Sequence, residues 1–191
     1  MCLRVFKYQA THTPIYMEWV KALHIDIDKV SSIEEIPFLP VNMFRDHSVL
    51  SNGLHSAISF SSSGTTGMIT SSHHVAEPNL YEESFLKGFA RCYGDVHDYV
   101  ILGLLPAYLE RPGSSLVYMT KGLIEQSGQK ESGFYLNELD ALVEMLHALK
   151  RENKKAWLIG VSFALLDLAE KNPPVWEGLT VVETGGMKGR R

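Results

Sequence analysis

The seven-residue run Tyr99-Val100-Ile101-Leu102-Gly103-Leu104-Leu105 limits the possible folds of this chain more than any other segment. A short run without alternating polar residues is typical of a strand buried on both faces of a parallel sheet. Residues 156–160 and 179–182 have the same character. Because helical apolar patterns separate these runs, the sequence predicts an α/β fold, with a mostly parallel sheet and helices on both faces.

Several amphipathic helices are predicted from apolar residues at helical spacing. They cover residues 16–23 after Thr13-Pro14, then 81–92, 116–124 with Ser114 as N-cap, 139–149 and 161–169. Residues 33–41 contain two prolines and are expected to be extended and irregular. The pattern of the second helix places Cys92 on its inner face, so we expect a buried thiol that reacts slowly.

Composition excludes several functional classes. The chain has 191 residues, enough for one domain with a sizeable core, and 45% hydrophobic and 21% charged residues. Its formal charge of -4 gives no general electrostatic reason to bind nucleic acid. The longest apolar segments fall short of the roughly 20 residues that a bilayer requires, so no membrane insertion is expected. Two cysteines without metal spacing suit a cytoplasmic location.

A segment rich in hydroxyl side chains follows the predicted strand at residues 57–60. Hydroxyl groups donate hydrogen bonds to anionic oxygens, and glycines let backbone N–H groups turn inward, so this hydroxyl loop (residues 61–67) predicts a phosphate-binding site. A flexible linker is the alternative interpretation. The common G-x-x-x-x-G-K-[ST] motif does not fit, because Met68 follows the last glycine. The loop consists of Ser61, Ser62, Ser63, Gly64, Thr65, Thr66 and Gly67.

The segment Ser62-Ser63-Gly64-Thr65-Thr66-Gly67 resembles the first core motif of the adenylate-forming superfamily, which includes acyl-CoA synthetases and luciferase-type enzymes. Residues 36–44, 104–116 and 183–189 are similar to segments of the acyl-protein synthetase family, the fatty-acid-activating components of bacterial bioluminescence reductase complexes. The four segments occur in order from about residue 30 to the last residue. The Pro-Lys-Gly element of the superfamily is absent, since Ile69-Thr70-Ser71 stands in its place.

This resemblance implies that the protein uses ATP and Mg²⁺ to activate a carboxylic acid, such as a fatty acid, to an acyl-adenylate. The acyl group would then pass to a thiol, either a protein cysteine or coenzyme A. The hydroxyl loop would hold the β- and γ-phosphates, chiefly through Thr65 and Thr66. Tyr108 would line the carboxylate pocket, or simply cover the core as a loop aromatic residue. Gly185 and Gly186 would pack against adenine, or form an ordinary tight turn.

Other polar residues near these segments have weaker functional interpretations. The pair His73-His74 could partly replace the missing lysine as a cation near the hydroxyl loop, although solvated surface histidines are the simpler interpretation. A zinc site there is not favoured, because no cysteine or carboxylate lies at ligand spacing. Neither Cys2 nor Cys92 is assigned as the acyl-accepting nucleophile.

Motifs that the superfamily carries further along its chain have no counterpart before Arg191. They are the Tyr-Gly-x-Thr-Glu segment, the ribose-binding aspartate and the mobile C-terminal lysine. We therefore expect residues 1–191 to be a single α/β domain, an incomplete N-terminal portion of a longer ligase that is inactive alone. The alternatives are a non-catalytic nucleotide- or acyl-binding remnant, or a coenzyme A ligase of the phenylacetate type.

Overall fold

The computed structural model describes residues 1–62, 70–105, 113–136 and 138–185. The chain divides into two compact units, Met1–Pro78 and Asn79–Arg191. Within the described residues, no helix has both the length and the apolar character needed to cross a bilayer.

The first unit is built around two helices with a shared apolar core. Pro14 occupies the first turn of the second helix, after Thr13 as N-cap, which confirms the predicted start of that helix. The ring of Phe6 packs edge-on against that of Tyr16, with centroids 6.2 Å apart. The helices of this unit are α1 (Cys2–His12), α2 (Pro14–Ala22) and the short α3 (Met43–Asp46).

Residues 33–41 form neither helix nor strand, as predicted. Proline lacks an N–H group and fixes its own φ, which keeps this segment out of regular structure. Two side chains of α2 donate hydrogen bonds to backbone carbonyl groups of this segment. The Tyr16 hydroxyl donates to the carbonyl oxygen of Pro37 at 2.7 Å, and Trp19 Nε1 donates to that of Phe38 at 3.1 Å.

A two-stranded antiparallel sheet flanks the hydroxyl loop. It pairs β1 (Ile58–Ser61) with β2 (Ser72–Val75), so the predicted strand before the loop is confirmed. The alternation of strands and helices in the sequence predicts that the chain leaves the strands ending at residues 60, 105 and 182 at one edge of a parallel sheet. For β1 this prediction is wrong, because β1 pairs only with β2 among the described residues. The reason is visible in its sequence. Apolar Ile58 and Phe60 alternate with serines, a pattern that suits a one-sided antiparallel strand rather than a doubly buried parallel one.

The second unit contains a four-stranded parallel sheet, which confirms the predicted α/β class. All six residues of the first of these strands are buried, as its continuous apolar run predicts. The spatial order is β4-β3-β5-β6. The strands are β3 (Tyr99–Leu104), β4 (Gly133–Phe134), β5 (Lys155–Gly160) and β6 (Leu179–Glu183).

Helices cover both faces of this sheet, as predicted. On one face, Leu102 belongs to the same buried cluster as Leu146 and Leu168. On the other face, Ile101 clusters with Phe89 and Leu123. The first face carries α6 (Leu139–Arg151) and α7 (Ser162–Glu170), and the second carries α4 (Pro78–Tyr93) and α5 (Ser115–Ser127).

The start of α5 is set by the predicted cap. Ser114 has extended backbone angles, and its Oγ accepts a hydrogen bond from the N–H of Val117 at 3.3 Å. This bond satisfies one of the backbone donors that a helix leaves unpaired at its N-terminus. The capping serine therefore determines where α5 begins.

The prediction that Cys92 is buried is wrong, because its side chain is exposed. The buried face of α4 is centred on Phe89, whose ring centroid lies 5.6 Å from that of Tyr99 and 5.4 Å from that of Trp157. Tyr93, one turn later, packs against the same cluster. These aromatic contacts set the rotation of the helix, so the position just before Tyr93 faces solvent.

We expect Cys92 to react quickly with a thiol reagent in the folded protein, because an exposed sulfur needs no unfolding to be reached. Cys2 is also exposed, so the native protein should show two accessible thiols. Labelling of the Cys2→Ser variant isolates Cys92, and Cys92→Ser is the matched control. Reaction of Cys92 only after denaturant is added would contradict the exposed position.

Candidate functional site

The parallel sheet has a point at which its connections diverge. From β3 the chain passes through α5 to β4 on one side, whereas from β5 it passes through α7 to β6 on the other side. The two connections use opposite faces of the sheet. Ligands of open α/β sheets bind outside the carboxyl ends of the strands at such a switch point. The carboxyl edge between β3 and β5 is therefore the candidate site.

Three strands end side by side at this edge. The register pairs Leu104 of β3 with Gly160 of β5, and Gly160 with Glu183 of β6. Gly160 is tightly enclosed, since an added Cβ would lie 2.8 Å from Leu165 Cγ and 3.3 Å from the carbonyl oxygen of Leu104. The absence of a side chain at this position lets α7 approach the end of β5 closely.

The Glu183 carboxylate is fixed by two donors, although the side chain is exposed. The hydroxyl of Ser162, at the start of α7, donates to Glu183 Oε1, and so does the N–H of Gly185 at 2.8 Å. Both bonds reach the same oxygen. The side chain is thus held in one orientation by the helix after β5 and by the turn after β6.

Backbone hydrogen bonds close the turn after β6 onto the end of β5. The N–H of Thr184 donates to the carbonyl oxygen of Gly160 at 3.0 Å, and the Thr184 hydroxyl donates to the same oxygen at 3.2 Å. The N–H of Ser162 donates to the carbonyl oxygen of Gly185 at 3.2 Å. Gly185 has φ +76°, a conformation that favours glycine, and no atom of the described residues beyond its chain neighbours lies within 4 Å of an added Cβ. The described part of the chain therefore leaves space beside this turn.

The predicted site residues fall in different parts of the chain. Ser61 ends β1 and Ser62 follows it, with Ser62 Oγ accepting from the N–H of Ser71 at 3.0 Å. Gly185 lies at the carboxyl edge, next to Glu183 and Ser162. The others lie outside the described residues, namely Ser63, Gly64, Thr65, Thr66, Gly67, Tyr108 and Gly186.

The two adjacent histidines lie on β2 rather than in a loop. His74 Nδ1 is 2.7 Å from Ser59 Oγ across the two-stranded sheet, while His73 stacks on Phe44 with ring centroids 5.5 Å apart. Successive residues of a strand point to opposite faces, so the two imidazoles have different surroundings. Each has a specific partner in the described part of the chain.

Sequence reasoning did not single out Ser162. The available signal was a hydroxyl residue two positions after the predicted strand 156–160. Because parallel strands end at the same edge of a sheet, this position lies at the carboxyl edge together with residues 183–185. Without knowledge that β5 and β6 are neighbours, the sequence does not join that hydroxyl to Glu183.

A shallow cleft of about 350 Å³ lies at the opposite, amino edge of the sheet. Its cations are already paired, since Lys155 Nζ lies 3.3 Å from Asp98 and Lys154 Nζ lies 2.8 Å from Glu131. The hydrogen bond from Lys154 holds the pKa of Glu131 below its ordinary value. This cleft is thus an ion-pair cluster. It is lined by Asp98, Val100, Gln129, Asn153, Lys154 and Lys155.

The described residues leave space at the carboxyl edge and contain no cluster of side chains that would hold a metal ion. The space beside Gly185 leaves room for a flat group to approach the backbone. Across residues 1–62, 70–105, 113–136 and 138–185, no three His, Cys, Asp or Glu side chains are grouped to hold a metal ion. Magnesium is therefore implied by the resemblance alone.

Comparison of the chain with protein-family models finds no match. Comparisons with the curated proteins and with solved structures find none either. The interpretation of the site therefore depends on its own geometry and on the motifs in the sequence.

Proposed function

We propose that this chain binds ATP and a carboxylic acid, such as a fatty acid, and takes part in forming an acyl-adenylate whose acyl group then passes to a thiol. The observation that supports this most is the switch point, where β5 and β6 bring Ser162, Glu183 and Gly185 together at the carboxyl edge. Doubly wound sheets bind nucleotides at such an edge. The hydroxyl loop and the resemblance add phosphate binding and carboxylate activation to this assignment.

The proposed reaction has two steps. In the first, a carboxylate oxygen attacks the α-phosphorus of ATP, an O–P bond forms, and pyrophosphate leaves with the electrons of the broken bond. In the second, a thiolate attacks the acyl carbon, a C–S bond forms, and AMP leaves. The hydroxyls of Thr65 and Thr66 would donate to phosphate oxygens in the first step, where negative charge moves onto pyrophosphate. Tyr108 would help position the carboxylate, and Gly185 and Gly186 would contact adenine.

The proposal is tested by the binding of two adenosine ligands, ATP and a non-hydrolysable acyl sulfamoyl adenosine. A dodecanoyl sulfamoyl adenosine should bind at least tenfold more tightly than its acetyl counterpart, because each buried CH₂ contributes about 0.8 kcal/mol. A dodecyl compound without adenosine controls for non-specific adsorption of the chain.

The double variant Thr65→Ala/Thr66→Ala tests the role of the hydroxyl loop when the binding of the same two ligands is measured. Its affinity for ATP should fall at least tenfold, because a hydrogen bond to a charged group contributes about 1.5–3 kcal/mol. Its affinity for the acyl sulfamoyl adenosine should be unchanged, since that ligand has no β- or γ-phosphate. The proposal fails if the wild-type protein binds neither ligand in a saturable manner. ATP binding without any preference for the acyl chain would favour the nucleotide-binding remnant.

A further inference from the structure

The carboxylate of Glu183 has one engaged oxygen and one open oxygen. Oε1 accepts from the Ser162 hydroxyl and from the N–H of Gly185. A carboxylate has about four lone-pair positions, two on each oxygen, so these two donors fill the capacity of Oε1. No donor to Oε2 is found among the described residues, and the side chain is exposed at the carboxyl edge.

The polar groups beside this carboxylate are satisfied by other partners. The Thr184 hydroxyl and N–H both donate to the carbonyl oxygen of Gly160, and the Ser162 N–H donates to the carbonyl oxygen of Gly185. Within the described residues, Glu183 is therefore held through one oxygen, and the other oxygen can accept donors from a ligand. Such an arrangement is preorganised, because the side chain needs no reordering when a ligand arrives.

The open oxygen matches a ligand that offers two adjacent neutral donors. A magnesium ion is a poorer match, because it usually needs further oxygen ligands and no three His, Cys, Asp or Glu side chains are grouped to hold a metal ion in the described part of the chain. Two vicinal hydroxyl groups can each donate to Oε2. In doubly wound folds, an acidic residue at the end of a parallel strand accepts a hydrogen bond from ribose in this way.

We propose that Glu183 binds the ribose hydroxyls of the nucleotide and makes the site selective for ribonucleotides over deoxyribonucleotides. This inference rests on the proposed function, since it requires a nucleotide at the carboxyl edge. Ser162 and the N–H of Gly185 act as positioning groups, because they hold the carboxylate through Oε1 and do not touch the ligand.

The test compares ATP, 2′-deoxy-ATP and 3′-deoxy-ATP on the wild-type protein and on the Glu183→Met variant. Methionine keeps the length of the side chain but accepts no strong hydrogen bond. Removing a negative charge changes the affinity for every triphosphate equally, so the measured quantity is the ratio of the dissociation constants within each variant. The wild-type protein should prefer ATP at least tenfold over each deoxy analogue, and Glu183→Met should reduce that preference to within about twofold.

Ser162→Ala provides a second variant that keeps the carboxylate. This variant removes one of the two donors to Oε1. We therefore expect its preference for ATP over the deoxy analogues to be weaker than that of the wild-type protein and stronger than that of Glu183→Met. An undiminished preference for ATP in Glu183→Met would overturn the role of Glu183 and leave nucleotide binding intact. Failure of the wild-type protein to bind any of the three nucleotides would overturn the proposed function as well, so the two failures are distinguishable.

Discussion

Replacing Leu146 with alanine is expected to lower the free energy of unfolding of the second unit by about 2–5 kcal/mol. The Leu146 side chain is fully buried at the centre of α6 and belongs to the cluster that contains Leu102 and Leu158. Truncation removes the transfer energy of the side chain and leaves a cavity, because strands β3 and β5 are held in place by their ladder and cannot close around it. Denaturant unfolding followed by circular dichroism measures the change.

Leu166→Ala is the matched control for this substitution. Leu166 lies on α7 of the same unit, but it is 56% exposed. Its truncation should change the free energy of unfolding by no more than about 0.5 kcal/mol. Equal effects of the two substitutions would mean that α6 does not pack on the sheet as described.

Replacing Gly160 with alanine is expected to lower the free energy of unfolding by about 1–3 kcal/mol, because the added methyl group overpacks the site. The new Cβ would lie 2.8 Å from Leu165 Cγ and 3.3 Å from the carbonyl oxygen of Leu104. Because the clash involves the branching carbon of Leu165 and a backbone carbonyl group, we expect α7 to move away from β5. Because α7 begins with Ser162, the same movement should also weaken the hydrogen bond that positions Glu183.

A double-mutant cycle separates this clash from other effects of the added methyl group. In the Leu165→Ala variant most of the neighbouring side chain is absent. The loss of unfolding free energy caused by Gly160→Ala should therefore be smaller in that variant than in the wild-type protein, by about 0.5–3 kcal/mol. Gly88→Ala is the control for adding a methyl group without a clash, since Gly88 is an exposed residue of α4 and, outside its own helix backbone, no described atom lies within 4 Å of an added Cβ. That control should be neutral or stabilising by up to about 1 kcal/mol. Additive costs at positions 160 and 165 would contradict the close approach.

The fold of the second unit could be predicted from the sequence because its signals are local and strong. The run that forms β3 is apolar throughout, and the 3.6-residue pattern of α6 places Leu142, Leu146 and Leu149 on one buried stripe. Ser114 could be predicted as a cap because capping depends only on the next three residues. Each of these features is decided within a short window of the chain.

Features that depend on distant partners could not be predicted in the same way. Strand β2 contains two histidines and forms by pairing with β1, a contact that leaves little pattern in its own sequence. The rotation of α4 depends on Tyr99 and Trp157, and the link between Ser162 and Glu183 depends on β5 and β6 being neighbours. Of the site residues predicted from the sequence, Gly185 lies at the carboxyl edge of the parallel sheet, whereas most of the hydroxyl loop lies outside the described residues.

The division of the chain into two compact units also divides its three tryptophans. Trp19 lies in the first unit and is half-buried, while Trp157 and Trp176 lie in the second. Trp157 is 4% exposed, and its Nε1 is buried without an acceptor among the described residues, so its fluorescence should be shifted to the blue relative to indole in water. Chains that keep only Trp19 or only Trp157, with phenylalanine at the other positions, would therefore give each unit its own optical signal. Two fluorescence titrations would then show whether the units unfold together or one after the other.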